Sequence, residues 1–134
     1  MYLFDTDAIT NLLKKRPSSS LIHRLKEVKP EKQFISSITI AEIVYGAIKS
    51  DRPEHHLENL ETILLPMVTV LDFDVRAGYI AGHHRAKLEK LGTPLAWPDL
   101  QIAAIAISHQ MTLVTGNIRH FSRIPELRVE NWLR

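Results

Sequence analysis

Apolar positions along this chain fall into short runs that alternate with helical stripes. Tyr2-Leu3-Phe4 is a short apolar run that stops at Asp5, the pattern of a buried strand. Asp5 or Thr6 then caps a helix predicted through Lys15, with Ile9, Leu12 and Leu13 on its apolar side. A basic last turn and Pro17 give that helix a normal ending. The spacing predicts a second helix from Ser19 to Val28 and a second strand at Phe34-Ile35-Ser36. From Thr39 to Lys49, Ile40, Ile43, Val44, Ala47 and Ile48 recur on one helical face. Asp51-Arg52-Pro53-Glu54 reads as a cap, a first-turn proline and a capping-box acid, opening a helix to about Leu65. Met67 to Leu71 is a third strand. Asp74 caps a long helix that Gly92 closes, and Thr93 to Pro98 is a loop. Asp99 opens a helix, Leu100 to Ile107, that is apolar all round and has to be central. Leu113-Val114-Thr115 is a fourth strand with a Gly116-Asn117 turn, and Leu127-Arg128-Val129 is a fifth. Strands alternating with helices predict an α/β fold, with a parallel sheet covered on both faces.

Length and composition narrow the class. At 134 residues the chain is read as one domain, residues 1–134, with no linker or repeat. Hydrophobic residues at 45% and charged residues at 24% exclude a disordered chain, a collagen-like chain and a coiled coil. There is no cysteine, so disulfides, thiol chemistry and Cys-based zinc sites are excluded. Asp5 and Asp7 interrupt any export signal, and the apolar run Ile102 to Ile107 is too short to cross a bilayer. A cytoplasmic location is expected. The net charge of +2 hides patches of both signs. Residues 8–32 carry seven bases against two acids, and residues 51–74 carry six acids against one base.

In an open parallel sheet, sites form in the crevice beyond the carboxyl ends of the strands. Asp5 follows the first predicted strand there, and Thr115 and Asn117 end or follow the fourth. Glu42 lies in the first predicted turn after strand two. Asp99 opens the buried helix, where the dipole favours a carboxylate. Asp5, Glu42 and Asp99 are therefore expected to converge. Two carboxylates at ~4 Å cost roughly 4 kcal/mol at an effective dielectric near 20. A crevice holding three must protonate or bind a cation, and oxygen ligands select Mg²⁺ or Mn²⁺ over zinc. Such an ion suits phosphodiester hydrolysis, with no Ser, Cys or His nucleophile needed.

Each residue also fits a plainer role. Asp5 fits a helix cap, and Glu42 completes a Thr-x-x-Glu capping box with Thr39. Asp99 fits an N-cap, Asp7 a helix first turn, and Asn117 a turn after Gly116. The adjacent pairs His55-His56 and His83-His84 do not share one helical face and read as surface residues. No Walker loop and no Gly-x-Gly-x-x-Gly motif occurs. Trp97 and Trp132 read as packing residues, with base stacking a second possibility for Trp97.

The ordered set of motifs carries a resemblance. Leu3-Phe4-Asp5-Thr6-Asp7 resembles the start of PIN-domain ribonucleases, particularly VapC-type toxins. Ser36-Ser37-Ile38-Thr39-Ile40-Ala41-Glu42-Ile43-Val44-Tyr45-Gly46 resembles the second motif of that family. Asp99-Leu100-Gln101-Ile102-Ala103-Ala104 resembles the third, and Leu113-Val114-Thr115-Gly116-Asn117 with Phe121 the fourth. The ending, Ile124 to Trp132, is similar to the family's usual close. The resemblance implies a three-layer, Rossmann-like α/β/α fold with a mostly parallel sheet of four to five strands. It implies Asp5, Glu42, Asp99 and Asn117 as catalytic residues. Asp5 and Asp99 would be the direct Mg²⁺ ligands, with Mn²⁺ an alternative ion. Glu42 would act through water or a second ion, and Thr6, Asp7 and Thr115 would support the pocket. It also implies RNA cleavage, homodimerisation, a VapB-type antitoxin partner and no membrane association. Position 117 is Asn where many PIN nucleases have Asp, which weakens the hold on a second ion.

Lys14, Lys15 and Arg16 on one predicted helix, and Arg85, Lys87 and Lys90 on another, suit contact with RNA phosphates. Two other readings remain open on sequence. One is a phosphatase of the haloacid-dehalogenase type, using Asp5 of Asp5-Thr6-Asp7 as nucleophile. It lacks the later acidic pair that such enzymes need. The other is a module that binds RNA or an antitoxin without cutting.

Overall fold

The computed structural model describes residues Met1–Arg134. Five strands are present: β1 (Tyr2–Phe4), β2 (Gln33–Ser36), β3 (Thr69–Leu71), β4 (Thr112–Val114) and β5 (Arg128–Glu130). They form one sheet in the order β3-β2-β1-β4-β5, and every pairing is parallel. Seven α-helices accompany them: α1 (Thr6–Leu12), α2 (Ser19–Lys26), α3 (Ser37–Lys49), α4 (Pro53–Asn59), α5 (Val75–Lys90), α6 (Trp97–Ser108) and the single turn α7 (Ile118–Phe121).

Successive strand residues point to opposite faces, and both faces of the sheet are covered. Leu3 and Leu113 enter one core, with Ala77, Ala81 and Leu88 of α5 and the apolar α6. Their neighbours Phe4 and Val114 enter the other, with Ile9 of α1, Leu21 of α2, Leu60, Leu64 and Trp132. The wholly apolar α6 follows from this layering. Leu100, Ile102, Ala103, Ala104, Ile105 and Ala106 are all buried, with α5 packed alongside.

Element boundaries differ from the sequence pattern in ways that matter for the site. α1 ends at Leu12, not Lys15, because the chain turns there toward Pro17; the Asn11 side chain accepts from the Ser18 amide across that turn. α3 begins at Ser37, not Thr39. Ser36 is its N-cap and accepts from the Thr39 amide at 3.0 Å. Glu42 therefore sits in the second turn and forms no capping box with Thr39. α6 begins at Trp97, with Ala96 as N-cap and Pro98 preset for the first turn, so Asp99 is inside the helix and caps nothing. β4 and β5 are shifted by one residue from their expected positions. The helix expected from Asp51 to Leu65 is three pieces. After α4 comes a π-helical turn, Leu60–Leu64, and then a 3₁₀ turn, Leu65–Met67, with Pro66 inside it. Neither Asp51 nor Glu54 caps α4; its N-cap is Arg52, without a side-chain bond. Asp74 does cap α5, and Gly92 closes it at φ +74.

Candidate active site

Strand register sets the level of the site. Phe4 pairs with Ile35 on one side and Val114 on the other. Asp5, Ser36 and Thr115 therefore emerge together at the carboxyl ends of the three central strands. The chain leaves β1 toward β2 on one side, while β4 lies on the other, so the order reverses at β1. That reversal opens a crevice between the ends of β1 and β4.

Asp5 fills the floor of the crevice. It is the N-cap of α1, and its Oδ1 accepts from the Thr6 amide at 2.8 Å. Its Oδ2 accepts from the Thr115 hydroxyl at 2.8 Å. Both roles, cap and cleft residue, are therefore held by one side chain. Asp5 is only 6% exposed. Burial pushes its pKa up to about 7, and the charges of Asp7 and Asp99 add to that; the Thr115 and Thr6 hydrogen bonds oppose it. Asp7 is more exposed and is tied to the end of β4. Its Oδ2 accepts from the Gly116 amide at 2.9 Å, and the Thr115 hydroxyl lies 3.3 Å from its Oδ1. A side chain at 116 would crowd this contact and displace the tips of Asp7 and Leu133. A Cβ there would lie 2.9 Å from Leu133 Cδ1 and 3.0 Å from Asp7 Oδ2.

Glu42 reaches the crevice from α3 across a line of hydroxyls. The Thr6 hydroxyl donates to Glu42 Oε1 at 2.6 Å. Thr6 and Thr39 oxygens lie 3.2 Å apart, and the Ser36 hydroxyl donates to Thr39 at 3.2 Å. Thr6 has one proton, already given to Glu42, so Thr39 donates to Thr6. The line Ser36–Thr39–Thr6–Glu42 thus runs one way and fixes the carboxylate. Asp99 enters from the first turn of α6. Burial raises its pKa, as do the charges of Glu42 and Asp7, while His120 opposes the shift.

Asn117 stands beyond β4. Its amide donates to Thr115 Oγ1 at 3.0 Å, and its side-chain nitrogen lies 2.9 Å from His120 Nδ1. His120 was not picked out by the sequence pattern. A Gly-Asn-x-x-His spacing across one helical turn is the only signal, and it is short. Asp5, Asp7, Glu42, Asp99 and Asn117 line one open cleft of about 540 Å³, together with Thr6, Thr10, Asn11, Lys14 and Leu133.

The donor set is oxygen throughout, and a buried carboxylate faces two others with no ion pair to any base in the cleft. That chemistry fits a hard divalent cation. No three acidic or histidine side chains stand close enough to ligate one ion directly together. Mg²⁺ keeps several waters and takes only one or two carboxylates, so a cleft without three converging acids is compatible with it.

Of the basic residues, only Lys14 lines the cleft. Arg85 is paired with Glu89 at 3.3 Å and stacked on Trp97 at 5.1 Å. Trp97 is 38% exposed and also meets the ring of Phe73, so it is not a buried packing residue. Trp132 is buried as expected. Lys15, Arg16 and Lys87 are exposed.

Comparison with known proteins bears on this geometry. The PIN domain model matches residues 2–127. The chain belongs to the PIN-domain family. Ribonuclease VapC2 of Haemophilus influenzae is 36% identical over 98% of both chains. The tRNA(fMet)-specific endonuclease VapC of Salmonella typhimurium is 37% identical over 98% of this chain and 97% of its own. The crystal structure of VapBC2 from Rickettsia felis, bound to a DNA fragment from its promoter, superposes with a TM-score of 0.90 at 36% identity, covering 98% of both chains. The five-stranded parallel sheet between helical layers is thus the PIN fold, with a strand number at the upper end of the expected four to five. PIN membership also removes support from the phosphatase alternative. Asp7, the second acid of that motif, is held by the Gly116 amide rather than left free to act. No helix is long and apolar enough to cross a membrane.

Proposed function

We propose that this chain is a Mg²⁺-dependent endoribonuclease, the toxin of a toxin–antitoxin pair, working in the cytoplasm. The observation that carries the proposal is the burial of Asp5 beside Asp7 and Asp99 at the strand-order reversal, in a cleft of oxygen donors. The relatives named VapC ribonuclease and tRNA(fMet)-specific endonuclease support an RNA substrate. The similarity to VapBC complexes supports a VapB-type antitoxin.

Asp5 and Asp99 would hold the ion, with Mn²⁺ able to replace Mg²⁺. When bound, it orients the phosphodiester and makes water acidic enough to attack at neutral pH. Thr115 donates its hydroxyl proton to Asp5 Oδ2 and so fixes the orientation of that carboxylate. Glu42, aimed by Thr6, orients the attacking water and takes its proton at Oε2, the oxygen left free of the Thr6 bond. Asn117 offers an uncharged amide oxygen to the same cleft, with its nitrogen engaged by His120. Lys14 balances the charge of the phosphodiester from the cleft edge. The exposed apolar side chains Tyr45 and Ile48 on α3, and Val75 and Tyr79 on α5, suit a self-association surface, and we propose a homodimer.

The test is cleavage of RNA by the purified protein with and without Mg²⁺, for the native chain and Asp99→Asn. Cleavage that needs both Mg²⁺ and Asp99 supports the proposal. Cleavage indifferent to either rejects it, and RNA or antitoxin binding without any cleavage would support the binding-module reading instead.

A further inference from the structure

Asp5, Asp7, Glu42 and Asp99 line the acidic cleft, and a phosphodiester entering it brings a negative charge of its own. Its oxygens therefore need donors from the protein as well as the proposed ion. Lys14 supplies one from just beyond α1. A second donor stands on α7.

Phe121 is fully buried and pins the single turn of α7 to the core, while His120 beside it is exposed. Of the molecule's seven histidines, His120 alone is bonded to a residue that lines the cleft. Its Nδ1 lies 2.9 Å from Asn117 Nδ2. The Asn117 backbone amide donates to Thr115 Oγ1 at 3.0 Å, and the Thr115 hydroxyl donates to Asp5 Oδ2 at 2.8 Å. These bonds tie the ring to the floor of the cleft. An amide nitrogen only donates, so Nδ1 accepts and the ring proton sits on Nε2. Nε2 itself has no partner: Asn117 is the one side chain bonded to the ring, and the ring forms no ion pair with any acid. A proton gained by His120 is nonetheless felt at Asp99, so ring and carboxylate lie near each other without touching. The gap between them is left for water or a ligand oxygen.

Residue type matters at both positions. A lysine or arginine at 120 could close onto Asp99 as an ion pair and compete with the proposed cation. An imidazole held by Asn117 gives one directed N–H instead. The amide at 117 is what makes that donor. A carboxylate there could only accept, so Nδ1 would have to carry the proton, and a neutral ring would have none left on Nε2. We propose that His120 is a further catalytic residue, donating Nε2–H to a non-bridging oxygen of the scissile phosphodiester, with Asn117 positioning its ring. The proposal rests on the nuclease reading of the cleft and adds a substrate contact to it.

The test compares the native chain with His120→Asn and His120→Gln. The amide oxygen of Asn can stand where Nδ1 stands and accept from Asn117, but it brings no donor to the place of Nε2. The amide nitrogen of Gln reaches that place and donates. Position 120 is exposed, so neither change disturbs the core. Initial rates of cleavage of unfractionated cellular RNA with Mg²⁺, at low substrate, give relative kcat/KM. Binding of a short single-stranded RNA without metal is followed by fluorescence anisotropy. His120→Asn is expected to lower kcat/KM at least about tenfold, the loss of a hydrogen bond to a charged group. His120→Gln is expected to stay within about threefold of the native chain. A native rate in His120→Asn with a loss in His120→Gln would make His120 only a support for Asn117. A loss in His120→Gln as large as in His120→Asn, or no loss in either, would show that no N–H acts at this place. Each of these results overturns the proposal. If the native protein cleaves no RNA, the nuclease reading fails and the binding measurement decides instead. Weaker binding by His120→Asn than by His120→Gln then keeps the phosphate contact, and equal or absent binding overturns it.

Discussion

Two polar clusters in this molecule are built on opposite electrostatic plans. Around the C-terminus, charges and rings are matched. Arg24 Nη2 donates to Glu130 Oε1 at 3.1 Å, Trp132 Nε1 donates to the same oxygen at 3.0 Å, and the guanidinium lies 4.7 Å from the Trp132 ring centre. At the carboxyl ends of β1 and β4, like charges are gathered instead. Asp5, Asp7, Asp99 and Glu42 share one cleft, and burial raises the pKa of both Asp5 and Asp99. The first cluster pairs opposite charges and closes the chain end onto the sheet, with only Arg24 Nε left without a hydrogen-bond partner. The second is costly to the free protein, a cost that a proton, or the cation proposed above, would relieve. Local instability of this kind points to ligand chemistry rather than to folding.

The contrast breaks most sharply at Trp132. Trp132→Ala removes a buried ring that packs on Tyr2 and Phe4. A loss of about 3–5 kcal/mol is expected in urea unfolding, with kcat of the folded fraction unchanged. Asp99→Asn should do the reverse. On the proposed metal role of Asp99, the change should cost at least about 100-fold in RNA cleavage, beyond what supporting residues cost, with no loss in melting temperature.

Asp5 sharpens the comparison through pH. Its folded pKa of about 7 exceeds the unfolded value of 3.8. Between those limits the native state holds a proton that the unfolded state has lost. Stability of the metal-free protein therefore falls as pH rises from about 4 to 7. Asn also caps helices: its oxygen can accept from the Thr6 amide while its NH2 donates to the Thr115 hydroxyl, which then donates to Asp7, so Asp5→Asn removes the charge and keeps Thr115 in contact with the bond reversed. It should stabilise the metal-free protein by about 1–2 kcal/mol at pH 7.5, flatten this slope, and abolish cleavage. Thermal unfolding from pH 4 to 8 checks it; a slope equal to that of the native chain would count against the burial argument.

Smaller effects come from the supporting bonds. Thr6→Val removes the hydroxyl that aims Glu42 and should lower kcat about 10-fold with little change in KM. Glu130→Gln weakens a half-exposed pair at the chain end and should cost about 0.5–1 kcal/mol, measured by urea unfolding, and no activity.

Much of this was legible before the structure. Short apolar runs ending in Asp5 and Thr115 placed the strands within a residue or two, and the apolar α6 announced its burial. The acidic positions were readable because parallel strands must end at one edge. What local pattern obscured was the role of Glu42 and Asp99. Thr39-x-x-Glu42 has the form of a capping box, but Ser36 takes the cap, so α3 starts earlier and Glu42 turns to Thr6. Likewise Asp99 looked like an N-cap until Pro98 proved to be inside the helix. At α3 a neighbouring serine of comparable capping strength took the cap; at α6 the helix starts after Ala96 with no side-chain cap at all, and Pro98 in the first turn sets the start. His120 was missed for a different reason: the short Asn-x-x-His spacing carries meaning only once Asn117 is seen to be fixed by the end of β4.

The central claim is that the acidic cleft is a divalent-cation site. Calorimetric titration of Mg²⁺ into the RNA-free protein at pH 5.5, 6.5 and 7.5 tests it directly. Saturable binding that strengthens with pH as Asp5 releases its proton, and that disappears in Asp99→Asn, is the predicted result. No saturable binding at pH 7.5, or equal binding by Asp99→Asn, would contradict it.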